Sequence, residues 1–445
     1  MMRLPIKEWA NRTGQAGLYV LSLCAFLAPA GAATGMALLA LGFVLAAPDW
    51  RSLLRQPVVA TALLFSAYLI VHTAAAGIRD PAASKELWDA AGDWLQLLIF
   101  VPFAYFLAGD VRKLGRLLAL ALLGMITGML ARLDWGLLLA SPEELFASRP
   151  GFGYPAIAFA LYSGSALLGL IFLARRWWAS GQGARGNLLI ALLWLFCLVL
   201  LIQGFVAAQS RGSWIALGLA LLVGGLLARR LKPSRRSAVA SQQERWLIAL
   251  GLIVGASLLA INGERIMTRM SLELEAAGAL VASQQAEEPQ FSFGLRWNVL
   301  RYGLDRWLER PWLGWGAGSS RSLIERTGDP KLRQDEIPLK HLHNSYLEVL
   351  LQFGVVGAAL SGALFVYLTR DLWRSVREGG CPTDYGVWLL TTLLFLLIWS
   401  LWSYRAVHQD WRIFWVLLAG TSLSFALVQT PLRPSEKAPA EGFGP

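Results

Sequence analysis

The sequence predicts an all-α protein that crosses a membrane many times. Apolar residues make up 56% of the 445 residues and charged residues only 16%, whereas soluble domains carry about a quarter charged residues. The charged residues are also segregated. They leave uncharged runs of about 17–25 residues, the length that a spanning helix needs. These observations exclude a soluble protein and predict a polytopic helical bundle.

About twelve apolar segments are candidate spans. They centre on residues 16–31, 33–47, 57–76, 94–108, 116–130, 155–174, 187–208, 213–228, 246–261, 345–368, 385–403 and 412–428. The first two are short, so they are either tilted or form one loosely packed hairpin. The basic N-terminus and the apolar core after it imitate a signal peptide. Because a second apolar stretch follows within a few residues, we interpret the first stretch as a span.

The distribution of Lys and Arg predicts the orientation, because positive loops are retained on the cytoplasmic side of a membrane. With the N-terminus inside, the cytoplasmic segments hold 22 of the 40 Lys and Arg residues, and the short outside loops hold seven. The reverse orientation would place the six basic residues of segment 229–245 outside. We therefore expect both termini in the cytoplasm.

The spans divide the chain into four parts. A transmembrane region with about nine spans covers residues 1–261, and a second one with about three spans covers 345–428. Between them lies the one large extramembrane element, residues 262–344, which we call the loop segment. Its helical periodicity predicts that it folds on the outer face of the bundle. Residues 429–445 have the Pro-, Ala- and Glu-rich composition of a disordered cytoplasmic tail.

Charge, cysteines and missing motifs exclude several functions. The net charge of +11 does not indicate a nucleic-acid partner, because positive loops lie beside anionic membrane lipids. No disulfide is expected, since Cys24 and Cys197 lie in spans and Cys381 faces the reducing cytoplasm. The chain has no HExxH, no Cys/His cluster at zinc spacing, no Walker loop and no outside DxD pair. We therefore expect no metal and no other cofactor.

Arg296 has an unusual position in the predicted helix 293–310. At about 100° per residue, Leu300, Gly303 and Trp307 fall within about 40° of Arg296, and Arg301 points to the opposite side. The guanidinium therefore lies in the middle of an apolar arc. It must reach the solvent along the helix, meet a buried acid, or bind an anionic ligand.

Arg211 lies in a tight outside turn between the seventh and eighth spans. Ser210 or Ser213 can cap the helix that follows, and a helix N-terminus attracts anions. The guanidinium in the same turn matches the geometry of a phosphate. An arginine that only anchors the helix end at the membrane interface is the alternative.

Lys340, His341 and His343 precede the tenth span, on the same outside face. A histidine near a helix N-terminus tends to stay neutral, and a general base must be neutral. The other two histidines, His72 in the third span and His408 in a short outside loop, fit structural roles better.

Three motifs together resemble the superfamily of O-antigen ligases and O-antigen polymerases. They are QSRGSW at 209–214, RPWLGWGAGS at 310–319 after the Arg296 helix, and HLHNSYLEVLLQFGVVG at 341–357. The family pattern is a Ser-Arg-Gly turn that opens a membrane helix, then a loop helix with Pro-φ-φ-Gly-φ-Gly, then His-Asn-x-φ-Leu. Each motif alone is weak, but their common order and common face make the resemblance fairly specific.

The resemblance implies a GT-C-like fold and an inverting, metal-independent glycosyltransferase of the bacterial inner membrane, with a periplasmic active site. The donor would be a glycan on undecaprenyl diphosphate and the acceptor lipid A–core. Carried over to this sequence, Arg211 and Arg296 would bind the diphosphate and His343 would be the catalytic histidine. Arg301, Lys340 and His341 are not fixed by the motifs, and we expect them to assist in substrate binding.

Several alternatives share these features. Within the superfamily, polymerases and protein O-oligosaccharyltransferases have the same motifs, although one large loop and a short tail look most like the ligase. A flippase for the lipid-linked glycan would need the arginines but not the histidine, and it would need polar residues through the bilayer. A peptidoglycan-type polymerase would need a catalytic acid in the outer loop; the acids available there are Glu264, Glu273, Asp305 and Asp335.

Overall fold

The computed structural model describes residues 3–179, 183–231, 292–334 and 337–428, together with part of 251–271. Its labelled helices are α1 (Arg3–Cys24), α2 (Pro29–Ala46), α3 (Trp50–Leu54), α4 (Pro57–Arg79), α5 (Ser84–Leu95), α6 (Phe100–Leu107), α7 (Val111–Arg132), α8 (Trp135–Ala140), α9 (Pro142–Ala147), α10 (Ala156–Phe172), α11 (Ala174–Ala179), α12 (Gly183–Ala207), α13 (Arg211–Arg230), α14 (Ser292–Glu309), α15 (Ser319–Thr327), α16 (Ser345–Arg377), α17 (Thr383–Trp399) and α18 (Gln409–Val428). Short 3₁₀ turns lie at Gln96–Ile99 and Pro330–Leu332, and the strands β1 (Arg333–Gln334) and β2 (Ile337–Pro338) form one antiparallel pair.

The helices follow the predicted spans closely. Most predicted segments overlap one helix, but segment 16–31 covers the end of α1, the turn after it and the start of α2. Segment 246–261 lies largely outside the described residues, as does the predicted tail 429–445. Among the described residues, seven helical stretches are long and apolar enough to cross a membrane, and α10 and α17 are shorter apolar helices. The protein is thus an all-α polytopic membrane protein.

The fourth predicted segment, 94–108, begins too late. The helical stretch extends from Ser84 to Leu107 through the 3₁₀ turn. Its first part is amphipathic and carries Lys85, Glu86, Asp89 and Asp93, so a search for an uncharged run stops short of it.

The α1–α2 hairpin packs through small residues. A Cβ placed on Gly35 would lie 2.5 Å from the backbone nitrogen of Leu21, and one on Gly17 would lie 2.8 Å from that of Leu39. Helices in a membrane associate by this close backbone approach, because lipid gives apolar side chains little reason to leave it. The two short predicted segments therefore form one hairpin, and it is a tightly packed one.

The longest helix, α16, is broken at Gly354, whose φ of 62° and ψ of −168° are not helical. Residues 311–316 fill the break. The carbonyls of Leu351 and Gln352 accept hydrogen bonds from the amides of Trp315 and Gly316, each at 2.9 Å, and the amide of Val355 donates to Pro311 at 2.8 Å. A broken helix is tolerated at membrane depth when protein groups replace the lost backbone bonds.

The described part of the loop segment packs on one end of the bundle, which we call the loop end. The Tyr68 hydroxyl of α4 donates to the carbonyl of Phe353 at 2.7 Å, next to the break. Arg326 of α15 forms an ion pair with Asp80 at 2.8 Å. On α14, a Cβ on Gly303 would lie 2.5 Å from the Leu342 side chain, just before α16. The ion pair of Arg326 therefore holds α15 near the end of α4, and α14 packs near the start of α16.

Candidate active site

The chain just before α16 adopts a strained conformation. His343 has a φ of +56°, in the left-handed region, which costs an L-residue about 1–2 kcal/mol. Asn344 then caps the helix, since its side-chain oxygen accepts the amide of Leu347 at 2.9 Å. The Asn344 amide group donates to the carbonyl of Leu401 at 3.0 Å. The His-Asn pair thus turns the chain sharply and connects it to residues 400–404. We call this segment the acceptor turn, because its carbonyl groups accept hydrogen bonds from Asn344 and Ser345.

Two side chains accept the backbone amides of this strained residue and of the residue before it. The Leu342 amide donates to Glu348 Oε2 at 2.8 Å, and the His343 amide donates to His341 Nδ1 at 3.4 Å. The rings of His341 and His343 lie 4.3 Å apart. Burial, followed by the nearby charges of His343, His408, Arg405 and Lys340, lowers the pKa of His341 to about 3. His341 is therefore neutral at pH 7 and can accept this bond.

Arg296 and His343 form the core of the site. Arg296 is partly buried on α14, close to the buried residues Leu295 and Val299 of the same helix. Burial lowers the pKa of its guanidinium. Burial, and after it the charge of Arg296, lowers the pKa of His343 to about 4. The imidazole is consequently neutral at physiological pH and faces the field of a guanidinium. A neutral base beside a fixed positive charge suits deprotonation of a hydroxyl near a bound anion.

Arg211 reaches the same part of the molecule from another direction. It is the first residue of α13, where its turn packs against the acceptor turn: a Cβ on Gly212 would lie 3.1 Å from the Trp402 ring. The Ser345 hydroxyl, beside the His-Asn pair, donates to the carbonyl of Ser403 at 2.6 Å. The turns that carry Arg211 and His343 therefore both contact the acceptor turn.

The expected cap at Arg211 differs in detail. Ser210 occupies the N-cap position, but its hydroxyl bonds to the Ser213 hydroxyl at 2.7 Å and makes no side-chain cap bond. Each of these two buried hydroxyls is therefore the hydrogen-bond partner of the other.

The remaining predicted binding residues lie farther out. Arg301 is exposed on α14, on the side of the helix away from the apolar arc, and Lys340 is exposed before His341. The charge of Lys340 contributes to the lowered pKa of His341. His341 lies next to His343, but its ring nitrogen accepts a hydrogen bond from the His343 backbone amide, and its side chain is partly buried.

A buried polar network beneath His343 is not among the sequence predictions. Glu348, Gln352 and Ser320 are each 1% exposed. The Gln352 amide group donates to Glu348 Oε1 at 2.8 Å and to the Tyr404 hydroxyl at 3.1 Å, and the Ser320 hydroxyl donates to Glu348. A single acid four residues into the apolar run after His343 was the signal that could have revealed it.

Partly buried ion pairs hold the chain that follows the acceptor turn. Arg405 binds Asp410 through both carboxylate oxygens, with 2.9 and 2.8 Å contacts from one guanidinium nitrogen, and Tyr162 donates to the same carboxylate at 2.7 Å. Arg412 pairs with Asp93 of α5. Burial, and then Arg405, lowers the pKa of His408. His408 lies in this ion-paired segment, and His72 is buried in α4 and stacks on Tyr68.

A cavity of about 530 Å³ opens between the spans beside the site. Its walls are almost entirely apolar, with Phe65, Trp94 and Phe365 among them, and Ser345, Tyr346 and Tyr404 lie at its polar end. The space thus runs from the acceptor turn into the membrane-spanning part of the bundle.

Residues 196–361 match the family model described as O-antigen ligase. The matched region contains Arg211, Arg296 and His343, and also Glu348 of the buried network. No curated protein sequence matches the chain.

Proposed function

We propose that the chain is an O-antigen ligase, which transfers O-antigen glycan from undecaprenyl diphosphate to lipid A–core; the match of residues 196–361 to the O-antigen ligase family model supports this proposal. The observation that carries this proposal is that a neutral, partly buried histidine and a partly buried arginine interact at the loop end. A flippase needs the guanidinium for its anionic cargo, but it has no use for a general base.

The reaction needs a general base for the acceptor and cationic groups for the leaving diphosphate. The ring nitrogen of His343 takes the proton from an acceptor hydroxyl, whose oxygen then attacks C1 of the donor sugar. The bond between C1 and the diphosphate oxygen breaks, and undecaprenyl diphosphate leaves with the bonding electron pair. Attack from the face opposite the leaving group inverts the anomeric configuration.

Arg296 and Arg211 would stabilise the negative charge that grows on the diphosphate. A preorganised cation in a site with little water acts most strongly where charge develops in the transition state. The planar guanidinium also makes two parallel hydrogen bonds to phosphate oxygens. With two such groups the leaving group needs no divalent metal, so we propose metal-independent transfer.

The apolar cavity supports a lipid-linked substrate. Its walls suit an isoprenoid or acyl chain, and its polar end adjoins Ser345, next to the His-Asn pair. A lipid carrier held there would present its diphosphate at the loop end. We place this end in the periplasm and both termini in the cytoplasm of an inner-membrane protein, on the basis of the Lys and Arg distribution.

Transfer by purified protein in detergent tests the proposal. The donor is undecaprenyl-diphosphate-linked glycan, offered with lipid A–core, with a second lipid-linked unit, or with a protein acceptor. We expect glycosylated lipid A–core, with and without EDTA. Transfer only to the second unit identifies a polymerase, transfer only to protein identifies an oligosaccharyltransferase, and loss in EDTA that one metal restores contradicts metal independence.

A further inference from the structure

The carboxyl group of Glu348 is buried at the loop end among uncharged partners. Within the described residues, its hydrogen-bond donors are the Ser320 hydroxyl, the Gln352 amide group and the Leu342 backbone amide. A buried carboxyl group that lacks a cationic partner is costly to fold. An apolar residue of similar size would avoid that cost, so the group is best explained by what its two oxygens hold.

The two oxygens hold different parts of the molecule. Oε1 binds Ser320 at the start of α15 and Gln352 near the break in α16; Gln352 Oε1 in turn accepts the Gly318 amide at 3.0 Å. Oε2 accepts only the Leu342 amide among the described donors. One carboxyl group therefore links the segment of Gly318 and Ser320, helix α16 and the chain that carries His343.

The link reaches the residue next to the strained one. Leu342 and His343 are consecutive, and their amides are held by Glu348 and His341 respectively. A residue with φ of +56° keeps this conformation only when its surroundings fix it from several sides. Released from Glu348, residues 341–343 could relax to an ordinary backbone conformation, and the imidazole would turn away from Arg296.

We infer that Glu348 is a positioning residue, which holds the backbone of Leu342–His343 so that the His343 imidazole faces the bound substrate. It acts through the Leu342 amide and does not itself touch the substrate. The inference rests on the proposed function, since it takes His343 as the base. This role explains why a buried acid is the fourth residue of the apolar helix α16.

Three variants separate positioning from mere support of the fold. Glu348→Ala removes both links. Glu348→Gln keeps one oxygen that can accept the Leu342 amide. Ser320→Ala is the matched control, because it deletes a partner of Oε1 and leaves the bond to Leu342 intact. For each variant, kcat per folded molecule, donor Kd, and hydrogen exchange of the 341–344 amides are measured in detergent, with lipid A–core as acceptor.

We expect kcat of Glu348→Ala to fall about 10²-fold, the usual cost of a misplaced catalytic group, with donor Kd within about threefold of the parent protein. Glu348→Gln should recover much of this loss, and Ser320→Ala should stay within about threefold of the parent rate. Exchange at 341–344 should rise at least about tenfold in Glu348→Ala and little in the other two variants.

Two outcomes overturn the inference: unchanged exchange at 341–344 in Glu348→Ala, or faster exchange with parental kcat. A donor Kd that weakens as much as kcat falls also overturns it, because Glu348 would then serve binding. If the parent protein transfers no glycan to any acceptor, the proposed function fails, and the exchange measurement alone decides whether Glu348 holds this backbone.

Discussion

The α1–α2 hairpin and the loop end both depend on glycine, but for different reasons. In the hairpin, Gly17 and Gly35 bring two regular helices into backbone contact. At the loop end, Gly314 and Gly354 have φ of +73° and +62°, and a loop enters the space between two halves of a helix. The hairpin is made of regular helices, whereas the loop end contains a broken helix, left-handed residues and buried polar groups.

This difference separates stability from function. The hairpin consists of two regular helices in close contact, and none of the proposed site residues lies in it. The loop end accepts strain at His343 and buries Glu348 among uncharged partners. Such departures concentrate where geometry must serve a reaction. Substitutions in the hairpin should therefore change stability alone, whereas substitutions at the loop end should also change turnover. The following predictions test this difference from the largest effect to the smallest.

The largest effect is expected for His343→Ala. Removal of a general base costs about 10²–10⁴-fold in rate, while the diphosphate contacts remain. We expect transfer to be abolished with donor affinity largely intact, measured as initial rate and donor Kd on monodisperse protein. His341→Ala is the matched control; it should lose only about tenfold, the worth of one hydrogen bond to the His343 amide. A dead His341→Ala beside an active His343→Ala would mean that the base is His341.

The arginines come next. Arg296→Ala and Arg211→Ala should each lower turnover about 10²–10³-fold, as expected when one stabilising donor is removed, and should also weaken donor binding. Lys at either position should restore part of the loss, because an ammonium lacks the planar fork. Arg301→Ala is the control on the exposed side of α14. Equal losses for Arg301→Ala and Arg296→Ala would argue for a general charge effect instead of a specific site.

The sequence predicted the two regions unequally well. The helical period predicted α14 to within one residue, and the apolar run 33–47 predicted most of α2. The predicted segment 16–31 was less accurate, because it missed the polar first half of α1 and ran across the turn into α2. Arg296 stood out because it breaks such a pattern. Glu348 and the break at Gly354 did not, since their partners are distant in sequence: Leu342, Ser320 and residues 311–316. Long-range backbone pairing leaves no periodic signal.

A pair of glycine substitutions tests the contrast between the regions directly. Gly35→Ala overpacks the hairpin and should cost about 1–3 kcal/mol of stability without changing kcat per folded molecule. Gly354→Ala should destabilise at least as much, because its Cβ would collide with the Trp312 carbonyl at a left-handed φ. It should also lower kcat about tenfold, since the displaced loop carries the links to Gln352 and Glu348.

Thermal unfolding in detergent and initial transfer rates provide the readouts. Gly225→Ala in α13 is the control, because a Cβ there meets open space. If Gly35→Ala lowers kcat per folded molecule as much as Gly354→Ala does, the separation of stability from function fails.

The smallest effect is expected on changing pH between about 5 and 8. A base must be neutral, and a histidine is neutral above its pKa, so activity is lost as pH falls through that value. Because burial and Arg296 lower the pKa of His343 to about 4, kcat/KM should stay nearly flat through 6.5 and decline only near 4. Arg296→Gln should move this decline to higher pH, since it removes a charge that disfavours imidazolium, whereas Arg301→Gln should leave it in place. The bound diphosphate favours imidazolium, so kcat should decline at a higher pH than kcat/KM, which reports the free enzyme. A decline of kcat/KM centred near 6.5 would show a base exposed to solvent, and the buried His343 would not be that base.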